Sequence, residues 1–161
     1  MKRALVLLLL LVAACGGGSG SKGDGGKAAY IAKAEALCAK ANADLVTVKK
    51  DQPTSLAAVP PYVHRIVEIA RKDVIALSAL TPPASDAAAV KAKLLDPLRV
   101  QLTEADAYAT KVDTAAGAKD QAALFDLVTH PPTKTRADLA WMRTYGFKAC
   151  VNAADTGSTG K

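Results

Sequence analysis

Three cysteines are the residues of this chain whose chemistry is most directly indicated by their positions. Cys15 follows a short apolar run, whereas Cys38 and Cys150 lie near the two ends of the sequence behind it. An odd number of cysteines in an exported protein leaves one that needs a separate explanation. The residues before Cys15 supply that explanation.

The first 15 residues have the pattern of an export signal that ends in a lipidation site. Lys2 and Arg3 supply positive charge, and the 11 apolar residues of positions 4–14 are too few for a membrane-spanning helix, which needs about 20. The VAAC segment at 12–15 resembles the bacterial lipobox. The resemblance implies diacylglycerol on Cys15 and cleavage just before it. The alternative is an ordinary secretory signal with a cysteine near its cleavage site.

If Cys15 carries lipid, Cys38 and Cys150 remain as a pair. In an oxidising compartment we expect them to form a disulfide that joins the first helix to the C-terminal segment. Closing so long a loop stabilises the fold by about 4–5 kcal/mol in the chain-entropy treatment. Two free thiols are the alternative.

A glycine-rich segment follows Cys15, with seven of the 11 glycines of the chain between positions 16 and 26. Gly18, Gly20 and Gly23 have the spacing of a dinucleotide-binding loop. That loop works only between a strand and a helix of a βαβ unit, and no such pattern surrounds it here. A phosphate loop is also excluded, because Ala28 stands where Ser or Thr is required. We therefore predict a flexible tether.

His64 and Glu68 are the best candidates for chemistry in the remaining sequence. They lie four residues apart on one helix face, as two metal ligands or an acid–base pair would. No third ligand or nucleophile has matching spacing, and Lys72 continues the row, which favours a surface ladder of ion pairs. Glu104 and Asp106 project about 200° apart, so they do not form a facing carboxylate pair. We predict no catalytic residue, no metal site and no cofactor, and therefore no enzyme.

Apolar residues recur every three or four positions along most of the chain, which predicts helices. The expected helices run over 30–50, about 60–80, about 85–112, about 120–128 and about 135–145. Pro97 should kink the third helix and free the carbonyl of Lys93. Short connections favour antiparallel neighbours. The predicted fold is an all-α, up-and-down antiparallel bundle of about four main helices, the last one interrupted at Pro131-Pro132.

These patterns divide the chain into four segments. We expect a cleaved signal peptide over 1–14, a lipidated N-terminus and tether over 15–27, a helical bundle over 28–151 and a disordered tail over 152–161. Gly146 is expected to end the last helix in a left-handed conformation. Phe147 and Cys150 should then fold back onto the first helix.

The order of motifs resembles that of small exported lipoproteins and secreted helical-bundle proteins of actinobacteria, whose function is unknown. The residues that carry the resemblance are the lipobox, YIAKAEALC at 30–38, LTPP at 80–83 and YGF followed by Cys150. The resemblance implies a helical bundle with a Cys38–Cys150 bond. It implies no catalytic residue.

The net charge of +6 includes two leader residues, and the remaining charges of both signs are interspersed. This pattern argues against a nucleic-acid partner. We expect a non-catalytic interaction or structural module of the cell envelope, held on the outer face of the cytoplasmic membrane by lipid on Cys15. Its partner would be an envelope protein. A carrier of lipid or another apolar ligand is the alternative, and an enzyme is a third.

Overall fold

The computed structural model describes residues 24–131 and 136–156, and this part of the chain is all-helical, as predicted. The helices are α1 (Asp24–Lys50), α2 (Val59–Ala79), α3 (Ala87–Val90), α4 (Asp96–Gly117), α5 (Gln121–Thr129), α6 (Leu139–Tyr145) and α7 (Ala149–Thr156). A 3₁₀ turn (Leu56–Ala58) precedes α2, and a π-helical turn (Lys91–Leu95) joins α3 to α4. Within these ranges, no helix is long and apolar enough to cross a membrane.

The three long helices form the body of an antiparallel bundle. α2 lies between α1 and α4 and packs against both. The short helices complete the bundle, because α5 packs on α4, α7 packs on α1, and α6 contacts α7 and the π-helical turn. The predicted interruption of the last helix is thus present, since α5 and α6 are separate elements.

Buried side chains form two hydrophobic cores, one toward each end of the bundle. The first core lies where α1 begins, and its largest fully buried members are Leu77, Leu94, Met142 and Phe147. The second core lies where α2 begins, and it includes Val59, Val63, Val112 and Leu124. Most of these side chains are aliphatic, as expected from a chain in which only 4% of the residues are aromatic.

A disulfide and a group of hydrogen bonds to one carboxylate hold α7 against α1. Cys38 and Cys150 lie at disulfide distance, with 2.13 Å between their sulfurs and 4.9 Å between their Cα atoms. The Glu35 carboxylate accepts backbone N–H bonds from Lys148, Ala149 and Cys150 at 2.9, 2.7 and 3.2 Å. These amides lie just before α7 and in its first turn, where no intrahelical acceptor exists, and the helix dipole favours a negative charge there.

This anchoring explains an error in the sequence-based assignment. The small, polar residues of 152–161 predict a disordered tail, yet α7 continues to Thr156. Val151 is only 4% exposed and belongs to the first core. The cap from Glu35 and the bond at Cys150 hold the helix where composition alone does not favour one. Residues 157–161 of the predicted tail lie outside the described part of the chain.

Two helix starts also differ from expectation. α1 begins at Asp24 rather than near Tyr30, so the last residues of the predicted 15–27 tether are helical. This first turn has a tertiary contact, because the Lys27 ammonium lies 4.0 Å from the centre of the Tyr145 ring. α6 begins at Leu139 rather than near residue 135, since the Asp138 carboxylate accepts the Trp141 N–H at 2.9 Å and caps the helix there. Pro132 and Thr135 are outside the described residues.

The break at Pro97 has a clear structural role. The π-helical turn lies directly before this region, and the Lys93 carbonyl accepts the backbone N–H of Asp138 at 3.2 Å. The carbonyl that proline frees therefore positions the start of α6. At the other end of α6, Gly146 has φ of 117°, as predicted, and a Cβ there would lie 3.2 Å from the side chain of Ile31.

Replacing Glu35 should loosen α7 specifically. We expect Glu35→Ala to lower the free energy of unfolding by about 2 kcal/mol, because three backbone amides lose their acceptor. Urea denaturation measures this change, and hydrogen exchange at residues 149–152 should speed up. Glu68→Ala is the matched control, since Glu68 makes only exposed ion pairs. Equal losses in the two variants would contradict the capping role.

Removing the disulfide should cost more than any single ion pair. The variant with Cys38→Ala and Cys150→Ala is expected to lose about 4 kcal/mol of unfolding free energy, because the unfolded chain is no longer constrained over a sequence separation of 112. Denaturation of the oxidised protein and of the variant gives the difference. Titration of two free thiols in denatured, unreduced wild-type protein would show that the bond does not form.

Candidate functional site

A charged cleft between α2 and α4 contains three of the residues that the sequence singles out for chemistry, His64, Glu68 and Asp106. It has a volume of about 260 Å³ and opens to solvent, and its polar lining residues are His64, Glu68, Arg71, Asp106 and Thr110. Because the first three come from one face of α2 and the last two from α4, helix packing brings together groups that lie far apart in sequence.

The geometry of His64 differs from the predicted ladder. Its Nε2 lies 3.0 and 2.9 Å from the two carboxylate oxygens of Asp113, across the gap to α4. The predicted pairing of His64 with Glu68 is therefore wrong, whereas the Glu68–Lys72 ion pair is present at 3.4 Å. The sequence does not single out Asp113, because no local spacing relates residues on two different helices.

The other charges of this cleft are compensated. Arg71 donates to Asp106 at 2.6 Å and approaches Glu68 at 3.8 Å. In the ranges that the structure describes, no three His, Cys, Asp or Glu side chains are grouped so as to hold a metal ion. The arrangement joins α2 to α4 through partly exposed ion pairs, each of which contributes about 0–1 kcal/mol.

The remaining polar candidates are separate from one another. Glu104 accepts from Arg136, with 2.9 Å between Nε and Oε2, and this hydrogen bond lowers the pKa of the Glu104 carboxyl. Asp106 faces Arg71 instead, so the two carboxylates have different partners, in agreement with their predicted directions. His130, the second histidine of the chain, lies 3.1 Å from Asp126 at the end of α5.

An aromatic cluster occupies the end of the bundle where α1 begins. Trp141 stacks on Tyr145 at 4.7 Å between ring centres, and Phe147 packs 5.2 Å from Tyr145. The Tyr145 hydroxyl donates to Asp86 at 2.8 Å. Burial and this bond raise the pKa of Tyr145, and the same bond lowers the pKa of Asp86. Tyr145 belongs to the first core, and the partly buried Trp141 packs against it.

A second cleft lies beside this aromatic cluster, between the first turns of α1 and the end of α2. Its volume is also about 260 Å³, and it is partly open to solvent. Tyr30 and Lys33 line it from α1, and Leu80 and Thr81 line it from the opposite side. Nothing in the sequence associates these residues, because the two segments are distant along the chain and carry no recognisable motif.

The predicted lipidation site, Cys15, lies outside the described residues. Comparison with known proteins adds no further information about it. No protein-family model matches the chain, and no curated protein or solved structure is detectably similar to it.

Asp73 is a half-buried carboxyl group of α2. In the described part of the chain it has no hydrogen-bond or ion-pair partner, and burial raises its pKa from 3.8 to about 6. The folded state therefore binds this proton more tightly than the unfolded chain does. The resulting loss of folding stability is absent when the pH is below the pKa of Asp73 in the unfolded chain. It grows as the pH rises toward 6 and is fully present above pH 6.

Asp73→Asn should therefore stabilise the protein at neutral pH. We expect the unfolding midpoint to rise by about 3 °C at pH 7, equivalent to about 1 kcal/mol, and by less at pH 4.5. Thermal unfolding at the two pH values measures the effect. Asp44→Asn, which removes an exposed carboxylate paired with Lys40, is the control. A gain for Asp73→Asn that does not depend on pH would refute the burial argument.

Proposed function

We propose that the chain is a bacterial lipoprotein whose helical bundle acts as a non-catalytic interaction or structural module of the cell envelope. Acyl chains on Cys15 would hold the bundle on the outer face of the cytoplasmic membrane. The partner would be another envelope protein.

The pairing of Cys38 with Cys150 is the observation that carries this proposal. Disulfides persist in oxidising compartments, so the pair favours export. It also leaves Cys15 as the odd cysteine, directly after a run of charge, apolar residues and small residues typical of a lipobox. Two independent features of the chain thus agree on a role for Cys15 that differs from that of the other cysteines.

The position of α1 is consistent with a membrane anchor. α1 begins at Asp24, nine residues after Cys15. Nine residues extend to at most about 30 Å, so an acylated Cys15 would keep the start of the bundle close to the headgroups. Two or more acyl chains are needed for stable anchoring, since one chain binds a bilayer only marginally.

The surface chemistry favours a module that binds a partner over one that performs a reaction. The acid and base side chains that the sequence singles out each have a hydrogen-bond or ion-pair partner, as in His64–Asp113, Glu68–Lys72 and Glu104–Arg136. The two clefts are open and partly lined by charged groups, whereas a carrier of apolar ligands needs an enclosed apolar cavity.

Cys15→Ser should release the protein from membranes. The wild-type protein from a bacterial envelope fraction is expected to have a mature N-terminal peptide that begins at Cys15 and carries the mass of acyl chains. The variant should appear in the soluble fraction instead. Mass spectrometry and membrane sedimentation provide the two measurements. The variant with Cys38→Ala and Cys150→Ala is the control, because it should stay with the membrane. An unmodified N-terminus in the wild type would reject lipidation.

Crosslinking in intact cells tests the module itself. We expect adducts with a small set of envelope proteins that are absent when the bundle is replaced by an unrelated soluble domain behind the same leader and tether. Native mass spectrometry of the delipidated protein separates this function from that of a carrier. An apolar ligand that copurifies at one molecule per chain would decide for the carrier.

A further inference from the structure

Helix α5 carries a row of exposed apolar side chains. Phe125 is 64% exposed and Val128 is 40% exposed, and Ala122 is exposed one turn before them. Because residues three apart are neighbours on a helix, the three side chains form one strip, which we call the α5 surface. Single exposed apolar residues are common on proteins, but a continuous strip of them is typical of a contact surface.

The opposite side of α5 is packed on the bundle. Leu124 is buried in the second core, and the partly buried Leu127 packs against that core. The Tyr108 hydroxyl donates to the Leu127 carbonyl at 3.0 Å and holds α5 on α4. The Asp120 carboxylate accepts the Ala123 N–H at 3.0 Å and caps the start of α5. The helix is therefore fixed in place with the α5 surface directed away from the bundle.

The spacing of the α5 surface suits pairing with a second copy of itself. Phe125 lies midway between Ala122 and Val128. In a twofold contact the same surface is used by both copies, so residue i meets residue j and residue j meets residue i. When two α5 helices pack antiparallel about Phe125, the small Ala122 of each copy faces the larger Val128 of the other.

Electrostatic complementarity favours the same arrangement. Lys119 lies two residues before α5, is exposed and takes part in no ion pair of the described part of the chain. Asp126 lies in the half of α5 that ends the helix, and its side chain is 74% exposed. Antiparallel packing brings the Lys119 end of one helix to the Asp126 end of the other. The two helix dipoles then also attract each other.

The size of the α5 surface indicates a weak and reversible contact. The nine residues of α5 extend over about 14 Å, at 1.5 Å per residue. Two helices of this length bury less than the roughly 1,200 Å² at which stable protein interfaces begin. The single chain already buries two hydrophobic cores, so it does not need a second copy in order to fold.

We infer that the α5 surface binds a second copy of this chain, with α5 packed antiparallel on α5 in a reversible twofold dimer. Phe125 lies at the centre of the contact, where it is removed from water. The inference goes beyond the proposed function, because it names a partner for the bundle that does not depend on lipid at Cys15.

The test measures self-association of the chain from residue 15 with Cys15→Ser, so that no acyl chain contributes. Sedimentation equilibrium from micromolar to millimolar concentration should show a monomer that converts reversibly to a dimer. Phe125→Ser should weaken the dimer at least about tenfold, because each copy loses its largest apolar contact. Ile75→Ser is the matched control, since Ile75 on α2 is 62% exposed and lies outside the α5 surface. Phe, Ile and Ser have similar helix propensities, so both variants should fold.

Cysteine crosslinking tests the orientation of the two helices. In the antiparallel dimer, position 122 of one copy lies beside position 128 of the other, whereas identical positions are about 9 Å apart along the helix axis. Mild oxidation of an equimolar mixture of the Ala122→Cys and Val128→Cys proteins, with the Cys38–Cys150 bond kept intact, should therefore link the two chains. Either variant alone should crosslink less.

Three results would overturn the inference. A protein that stays monomeric at every concentration would reject self-association, and crosslinks from the α5 surface to a different protein in cells would then assign another occupant. Equal weakening of the dimer by Phe125→Ser and Ile75→Ser would exclude the α5 surface. Crosslinking of each cysteine variant with itself, as efficient as in the mixture, would exclude antiparallel packing.

Discussion

The attachment of α7 to α1 is the constraint on which the rest of the first core depends. α7 has only eight residues, too few to be stable as an isolated helix. Glu35 supplies acceptors for its first-turn amides, and the Cys38–Cys150 bond fixes its position one helical turn further along α1. Both links lie on the same stretch of α1, so together they determine the direction of α7 as well as its location. Phe147 and Val151 are buried as a result.

A second constraint arises where the α3–α4 helix is irregular. Pro97 cannot bond the Lys93 carbonyl, and the chain responds with a π-helical turn whose freed carbonyl binds the amide of Asp138. Asp138 in turn caps α6 through its carboxylate, which also lies 3.3 Å from the Lys93 ammonium. The short helix α6 is therefore held at its start by Asp138 and at its end by Gly146. The irregular turn between α3 and α4 thereby provides the contact that positions the start of α6.

Helical periodicity made the long helices predictable, because their burial follows one face over many turns. In α1, the buried residues recur every three, four or seven positions, as a helix with one inward face requires; they are Tyr30, Ala34, Cys38, Ala41 and Val48. The predictions failed where a distant residue determines the local structure. His64 pairs with Asp113 on α4 rather than with its sequence neighbour Glu68. Residues whose composition is typical of a disordered tail form a helix because Glu35 caps its start. Neither partner can be found from spacing, since each contact depends on how two helices pack.

The two clefts also depend on how helices pack, which spacing along the sequence does not predict. His64, Glu68 and Asp106 of the α2–α4 cleft were singled out from the sequence, but packing gives each of them a partner, so the cleft is accounted for by the stability of the fold. The residues of the cleft beside Tyr30 had no sequence signal, and the hydroxyl that packing leaves without a partner there is buried. Interactions that a fold leaves incomplete are better evidence for a ligand than reactive residue types, because a folded chain satisfies its buried polar groups wherever it can. By that criterion the paired side chains between α2 and α4 are explained by the packing of the two helices.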